Sequence, residues 1–506
     1  VEQFLNALSI SIMLSPLLAI FLYILLGKKR NTLATYYSTS IIGIGFVLSL
    51  LALILSARAV NQNNFFLFHV STLSLLLTTL ILFISFIIHR FSMRYMHGDR
   101  NYRRYFFNLS SITLSTVVMA LADNFLLFWF AWTASNLLLI NLMIHKSQWE
   151  AAYNSGLLAL KALLPGSFFL LTALGILFST NNTMSIEILT SKTSNESSVE
   201  VAVALGFITL AAMTQSAIWP FHRWLMSSLN SPTPVSALMH AGLVNGGGFL
   251  VVKFAPLFVT YDNLLAILFI FGAVTAFLGS VWKLLQWNIK SMLACSTVAQ
   301  MGFMMMQCGL GLFPAAIAHL CWHGLFKSYL FLNSGSVIQQ NKYQLISRPK
   351  KWKALMIAIV GGLSGTYGFA LITGRPILSL QTTSFLLGFA FIAGTQLTLS
   401  LIAQEQQLKK VVMTLMLVFT IGVFYGASIH LVESVLPAFK SLPDYQLNAS
   451  QGLTLIIFFI IWIVFNLGLF KKIQETKIWD WFYVQMFNAS APHSKTITTN
   501  RSTYYY

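Results

Sequence analysis

The chain has 506 residues, of which 57% are hydrophobic and only 9% charged, with a mean hydropathy of +0.73. Soluble globular proteins carry charge at roughly a quarter of their positions, so that class is excluded. A formal net charge of +18 would suit a nucleic-acid binder, but the cations sit between apolar runs rather than on one basic face, which excludes that reading as well.

Taken in chain order, apolar runs predict 15 transmembrane helices, over 4–26, 36–57, 70–91, 105–121, 125–145, 157–179, 200–218, 235–258, 264–284, 291–312, 315–338, 354–373, 383–403, 411–432 and 452–470. Each is long enough to cross a hydrocarbon core of ~30 Å as a helix. Outer-membrane barrel strands are about 10 residues long and alternate in polarity, unlike these continuous runs. The expected fold class is all-α, a polytopic integral membrane protein.

The first run lacks a basic residue before it and is read as a retained helix rather than a secretory signal. Lys28, Lys29 and Arg30 follow it, and Arg94, Arg100, Arg103 and Arg104 follow the third run. Lys342, Arg348, Lys350, Lys351 and Lys353 lie after the eleventh, Lys409 and Lys410 after the thirteenth, and Lys471, Lys472 and Lys477 after the last. Even-numbered loops carry at most a lone cation, such as Lys192, Arg375 or Lys440. The positive-inside rule therefore places odd loops and the C-terminal tail in the cytoplasm and the N-terminus outside.

No hydrophilic stretch is long enough for a soluble domain. Expected instead are one membrane domain over 1–470 and a short tail over 471–506, with the Asn/Ser/Thr-rich 180–199 stretch as an extracytoplasmic connector. Cys295, Cys308 and Cys321 fall in apolar runs without CxxC spacing, so neither a disulfide frame nor a zinc site is indicated.

Two stretches should interrupt helical regularity. Gln215 to Pro234 contains Pro220, Pro232 and Pro234, and proline removes a backbone donor. Gly361, Gly362, Gly365 and Gly368 mark the twelfth run, either as a second break or as a plain packing face. Paired breaks at membrane depth are a mark of transporters built from repeats.

A titratable side chain near the bilayer centre costs about 2.5–3.5 kcal/mol on insertion scales, so each one calls for a reason. His319, His323 and Lys327 recur every four residues and share one helical face. A single histidine there would usually just hydrogen-bond a neighbouring helix. Three aligned titratable groups make a relay the better reading, since imidazole both accepts and donates protons near neutrality. His240 follows the proline-rich stretch, and Lys161 lies in the sixth run. Lys253 and Lys290 lie near run ends, where snorkelling to the interface is the simpler account. No run centre holds Asp or Glu, which argues against a permanently bound hard cation. Walker, dinucleotide, GxSxG and HExxH signatures are absent, so no catalytic residue is expected in this chain.

The stretches QSAIWPFHRWLMSSLNSPTPVSALMHAGLVNGGG (215–248), NIKSMLACSTVAQMGFM (288–304) and AAIAHLCWHGLFKSYLFLNSGSVI (315–338) resemble the antiporter-type membrane subunits of respiratory complex I and the multisubunit sodium/proton antiporters. The resemblance covers about 70–400 and implies two inverted five-helix repeats with broken helices. It also implies a proton or ion pathway through His240, His319, His323 and Lys327, with Lys290 near it. Two positions depart from that pattern. The family's glutamate after a tryptophan is here Thr133, after Trp132, and its lysine in the broken seventh helix is here Gln215. The charge expected in the broken twelfth helix has no clear counterpart.

The runs ADNFLLFWFAWT (122–133) and HAGLVNGGGFLVVKFAPL (240–257), with the tail FNASAPHSKTITTNRSTYYY (487–506), are similar to the membrane subunits of DAB-type inorganic-carbon uptake complexes. That likeness implies a bacterial plasma-membrane subunit that conducts H+ or Na+. It also implies a DabA-like cytoplasmic partner, a zinc protein related to β-carbonic anhydrases, which would hydrate CO2 to bicarbonate. Any zinc would belong to that partner. Trp479, Trp481, Phe482 and Tyr483, close to the tail cations, are the expected docking element; an interfacial aromatic belt is the plainer alternative. The other functional class open to the sequence is an antiporter-like subunit of a respiratory NADH:quinone oxidoreductase or of a sodium/proton antiporter.

Overall fold

A computed structural model describes residues 2–26, 30–57, 63–65, 67–191, 198–335, 351–376, 381–402, 407–436, 439, 445–467 and 474–497. The loop cations Lys28, Lys29, Lys192, Lys342, Arg348, Lys350, Lys440, Lys471 and Lys472 lie outside the described residues. Among the described residues eleven helical spans are long and apolar enough to cross a membrane, one of them the composite Thr233–Lys253. Backbone donors and acceptors cannot be left open in hydrocarbon, and an α-helix closes them within its own span.

In chain order the first compact unit carries α1 (Glu2–Leu25), α2 (Asn31–Ser56), α3 (Thr72–Tyr95), α4 (Tyr102–Leu121), α5 (Phe125–Met143), α6 (Glu150–Asn181), the short α7 (Ile186–Ser191) and α8 (Val199–Gln215). One small antiparallel strand pair, β1 (Asn63–Phe65) and β2 (Phe68–Val70), precedes α3. There follow α9 (Arg223–Met226), α10 (Thr233–Ala241), α11 (Gly246–Lys253), α12 (Ala255–Phe258), α13 (Asp262–Leu284) and α14 (Ile289–Gly309). α15 (Phe313–Leu332) contributes its residues from His319 onward to the same unit, as does the tail from Ala489.

The second unit contains α16 (Lys351–Thr373), α17 (Thr383–Ile402), α18 (Leu408–Val435), α19 (Ala449–Leu467) and most of α20 (Lys477–Ser490). α16 packs on both α17 and α18. Arg375 and Glu433 close an ion pair of 2.6 Å in this unit.

Four helices fill expected spans without reaching the same length or hydropathy: α4, α8, α14 and α15. α15 falls short because it holds His319, His323 and Lys327, and α8 has only 17 residues. With these four the arrangement is compatible with fifteen crossings.

The first expected interruption is present. α8 stops at Gln215, the chain runs irregularly to α9, and α10 starts with Pro234 in its first turn, where a missing N–H costs nothing. A further irregularity follows within the next span: α10 ends at Ala241, a 3-10 turn covers Leu243–Asn245, and α11 resumes at Gly246. The second expected interruption is not seen, because α16 is continuous from Lys351 to Thr373. Its glycines serve packing instead. A Cβ on Gly365 would lie 2.9 Å from Val418, and one on Gly368 would lie 2.7 Å from the Phe419 carbonyl. In membranes, where helices gain no hydrophobic drive against each other, such small residues permit the close approach that dispersion requires.

Candidate functional site

α14 and α15 bring the sequence-predicted residues of the eleventh run into register with α10 and the 3-10 turn. The site therefore forms where the broken span meets two intact helices. His319, His323 and Lys327 are all buried, at 8%, 5% and 1% exposure. The His319 and His323 rings stack with centroids 6.0 Å apart. His240 is also buried, and its ring stacks on Phe331 at 4.3 Å. His323 lies within electrostatic reach of His319, Lys327 and His240. Four residues chosen from sequence thus form one buried group.

Hydrogen bonds fix the state of two of these rings. Asn245 Nδ2 donates to the Ala241 carbonyl at 2.7 Å, so its Oδ1 faces His323 Nδ1 at 3.1 Å. An amide oxygen only accepts, so the proton sits on His323 Nδ1. His323 Nε2 then carries a free lone pair, buried and without a hydrogen-bond partner. At His240, Thr297 Oγ1 donates to the Leu293 carbonyl at 3.0 Å and so accepts from His240 Nδ1 at 3.1 Å. Lys327 Nζ donates to that same carbonyl at 3.2 Å. His319 Nε2 is likewise buried without a partner. Unfilled nitrogens inside a membrane are costly, so these two call for a reason.

Beside this group lies an inner cavity of about 70 Å3, lined by Ser85, Thr113, Trp132, Gln215 and Asn245 among others. Since about 10–15 Å3 of such space holds one water, a small cluster fits. Trp132 Nε1 is buried with no hydrogen-bond partner. Gln215 spans the break, donating from Nε2 to the Leu243 carbonyl at 3.2 Å. Where the resemblance anticipates a lysine, a neutral amide ties the two arms together. Thr133, the other substituted position, is half-buried, with its hydroxyl sealed and unpartnered.

Lys290 stands apart from the buried group. It lines a second cavity of about 710 Å3 together with Asp99, His145 and Trp149, while remaining within electrostatic reach of His240. Lys161 is a correction: it is exposed on α6 and is not brought into the buried group, because the helical face that carries it looks outward. Lys253 also differs from expectation. Its Nζ donates to the Ala122 carbonyl at 2.7 Å and lies over the Phe128 and Phe249 rings, rather than snorkelling.

Sequence reasoning missed Asn245 and Thr297, which set the histidine tautomers, and it also missed His89, Asp99 and His145. Asn245 sits in the quoted LVNGGG stretch, where a buried amide beside three glycines was a usable signal. His145 lies 3.1 Å from Asp99, yet burial pushes its imidazole below the usual histidine range.

In the tail, Trp479, Phe482 and Tyr483 form an aromatic row on α20, with Trp479 5.7 Å from Phe482 and 6.4 Å from Tyr483. Trp481 and Tyr483 are exposed. The following segment is anchored: the His493 amide donates to Ser227 Oγ, and Asn230 Nδ2 donates to the Thr496 carbonyl at 2.8 Å. The three cysteines are free thiols.

A broken span beside an intact helix that carries a buried His-His-Lys row is the arrangement of an antiporter-like, ion-translocating membrane subunit. The family model described as NADH:quinone oxidoreductase/Mrp antiporter, TM, matches residues 122–429, and that of the complex I chain 5 N-terminus matches 62–106. The chain belongs to this NADH:quinone oxidoreductase/Mrp antiporter family. Within it, the chain is similar to the probable inorganic carbon transporter subunit DabB of Bacillus subtilis (strain 168), 35% identical over 348 residues, 66% of this chain and 68% of that one. DabB1 of Halothiobacillus neapolitanus is 37% identical over 54% of this chain and 50% of its own length. The NADH-quinone oxidoreductase subunit L of Pseudomonas aeruginosa is 30% identical over 78% of this chain and 62% of its own length. The matches thus span about half to two thirds of these relatives.

Two solved structures share the fold. The Mrp complex from Dietzia sp. DQ12-45-1b superposes with a TM-score of 0.63 and 20% identity, over 96% of this chain and 59% of that one. An archaeal membrane-bound sulfane sulfur reductase superposes at 0.61 with 15% identity, over 95% and 96%.

Proposed function

We propose that this chain conducts protons, or sodium ions, down their gradient across a bacterial plasma membrane and so energises a cytoplasmic partner that hydrates CO2 for bicarbonate accumulation. The observation that carries the reading is the buried His319–His323–Lys327 row, with His240 beside it and ring nitrogens left open. A static scaffold has no use for four buried titratable groups, each of which costs folding energy. Similarity to DabB subunits supplies the inorganic-carbon context. The partner is a DabA-like zinc protein, docked on the exposed aromatics of α20. Loop charge supports an outside N-terminus and an inside tail. Catalysis belongs to the partner, and this chain supplies the ion path.

The second reading, a subunit of a respiratory NADH:quinone oxidoreductase or a multisubunit antiporter, draws on the long match to subunit L. Thr133 and Gln215 speak against it, since they replace the charges that machinery employs.

The test is to purify the chain with its bound cytoplasmic subunit, assay zinc in the pair, and measure bicarbonate-dependent growth. Zinc in the pair, together with growth that collapses with a protonophore and in His319→Ala/His323→Ala, supports the proposal. Normal uptake in the double variant overturns it.

A further inference from the structure

Between α3 and α4 runs a seam of polar side chains that the central row does not use. Ser85, His89 and Ser92 from α3 face Thr113, Ser110 and Tyr105 from α4, and all six are buried. Ser85 Oγ lies 2.6 Å from Thr113 Oγ1 and 3.2 Å from His89 Nδ1. His89 Nε2 lies 3.2 Å from Ser110 Oγ, and Ser92 Oγ lies 3.0 Å from Tyr105 Oη. One helical turn separates the Ser92–Tyr105 pair from His89.

One end of the seam opens on a cavity and the other abuts a residue that lines one. Ser85 and Thr113 line the inner cavity, across which stand Asn245 and, behind it, His323. At the other end the Tyr105 ring packs edge-on against His145 at 5.4 Å, and His145 with its partner Asp99 lines the 710 Å3 cavity. Trp132, whose Nε1 is buried and unpartnered, is part of the inner cavity's wall.

We propose that the α3–α4 seam is a second arm of the route, carrying protons between the large cavity at Asp99 and His145 and the inner cavity beside His323, with His89 as its proton-carrying residue. The inference rests on the conduction reading above. His89 Nδ1 donates to the Ser85 carbonyl at 2.8 Å, which leaves Nε2 with the lone pair that accepts from Ser110. A proton arriving at Nε2 makes the ring cationic. The Nδ1 proton then leaves to the Ser85 hydroxyl, which passes its own to Thr113 Oγ1 and on to cavity water. One proton enters and one leaves; reversal of the ring's tautomer restores the start. The six side chains are buried and meet through hydrogen bonds, a chain that hands on protons rather than hydrated ions.

The alternative is that the seam only glues two helices, which hydroxyls do in membranes. Proteoliposomes of the full chain, with whatever cytoplasmic subunit co-purifies, separate the two when potential-driven proton uptake is followed with an entrapped pH dye. His89→Gln retains hydrogen bonding but cannot become cationic, and Ser85→Ala/Thr113→Val cuts the inner end; each should lower flux roughly tenfold or more while thermal stability holds. Tyr105→Phe, which removes one hydroxyl and keeps the ring, should lower flux even if the others fold poorly. Wild-type flux in these variants, alongside loss in His323→Ala, overturns the seam and leaves the conduction reading intact. Absence of any flux in the wild type overturns both.

Discussion

Lys327 and Thr297 donate to one carbonyl oxygen, that of Leu293, at 3.2 and 3.0 Å. Both side chains join the helix's own N–H on that oxygen, so α14 orients the ammonium and, through Thr297, the His240 ring together. Removing the ammonium should therefore separate stability from transport. Lys327→Met keeps the volume and discards a charge buried to 1% exposure. The thermal midpoint should equal or exceed that of the wild type, because exchanging a buried ionic group for a well-packed apolar one is often stabilising by about 1–4 kcal/mol. Ion flux should fall at least about tenfold, or about 1.4 kcal/mol of barrier. A less stable but fully conducting variant contradicts this assignment.

Asn245 sets the His323 tautomer, and Asn245→Leu should release the ring while preserving bulk. Flux should fall roughly tenfold, and the nitrogen-15 signals of His323 should change from an Nδ1–H pattern to a mixture. Unchanged signals would show that another group holds the ring.

Acid should weaken the attachment of the tail region through His222. Its ring stacks on Trp282 at 4.5 Å, and burial pushes it down to about 4 from 6.5, opposed weakly by the Ala489 backbone beside it. Above pH 6.5 neither the folded nor the unfolded ring binds a proton, and the contribution is complete. As pH falls from 6.5 towards 4, only the unfolded chain takes up the proton, so stability is lost, by about 3 kcal/mol at most. His222→Phe keeps the stack and should remove that part of the slope in a pH series of melting midpoints. Equal slopes would exclude His222.

Asn230 Nδ2 meets the Ala151 carbonyl, Ser155 Oγ and the Thr496 carbonyl, joining α6 to the tail. Asn230→Ala should expose the tail to protease several times faster with little change in global melting, since single net hydrogen bonds contribute about 0.5–1.5 kcal/mol. Cleavage at the wild-type rate would mean the tail is held elsewhere.

Gly302 lets α13 and α14 touch, its missing Cβ being directed at the Ala276 amide. Gly302→Val should cost about 1–3 kcal/mol or more through overpacking and shift Leu293 and Thr297 with it. Loss of monodispersity together with loss of flux is expected; a stable, active variant would show that the helices can part without harm.

Much of this was legible from residue order. Span lengths and the four-residue spacing of His319, His323 and Lys327 carry straight into three dimensions, because helix periodicity fixes which residues share a face. Lys161 misled because its run is apolar on every side, so periodicity gives no sign of which face meets protein. The glycines of α16 misled differently: Gly361 and its neighbours read equally as a break or as a close-packing face, and only the positions of α17 and α18 decide. Asn245 could be singled out in LVNGGG, but that it and Thr297 set histidine tautomers depends on contacts between residues far apart in the chain.

Gln215 has one more consequence. The crossbar it makes to Leu243 is uncharged, so its strength does not vary with acidity. Acid or alkali can change what the imidazoles hold but not this tie between α8 and the 3-10 turn, which depends on shape alone.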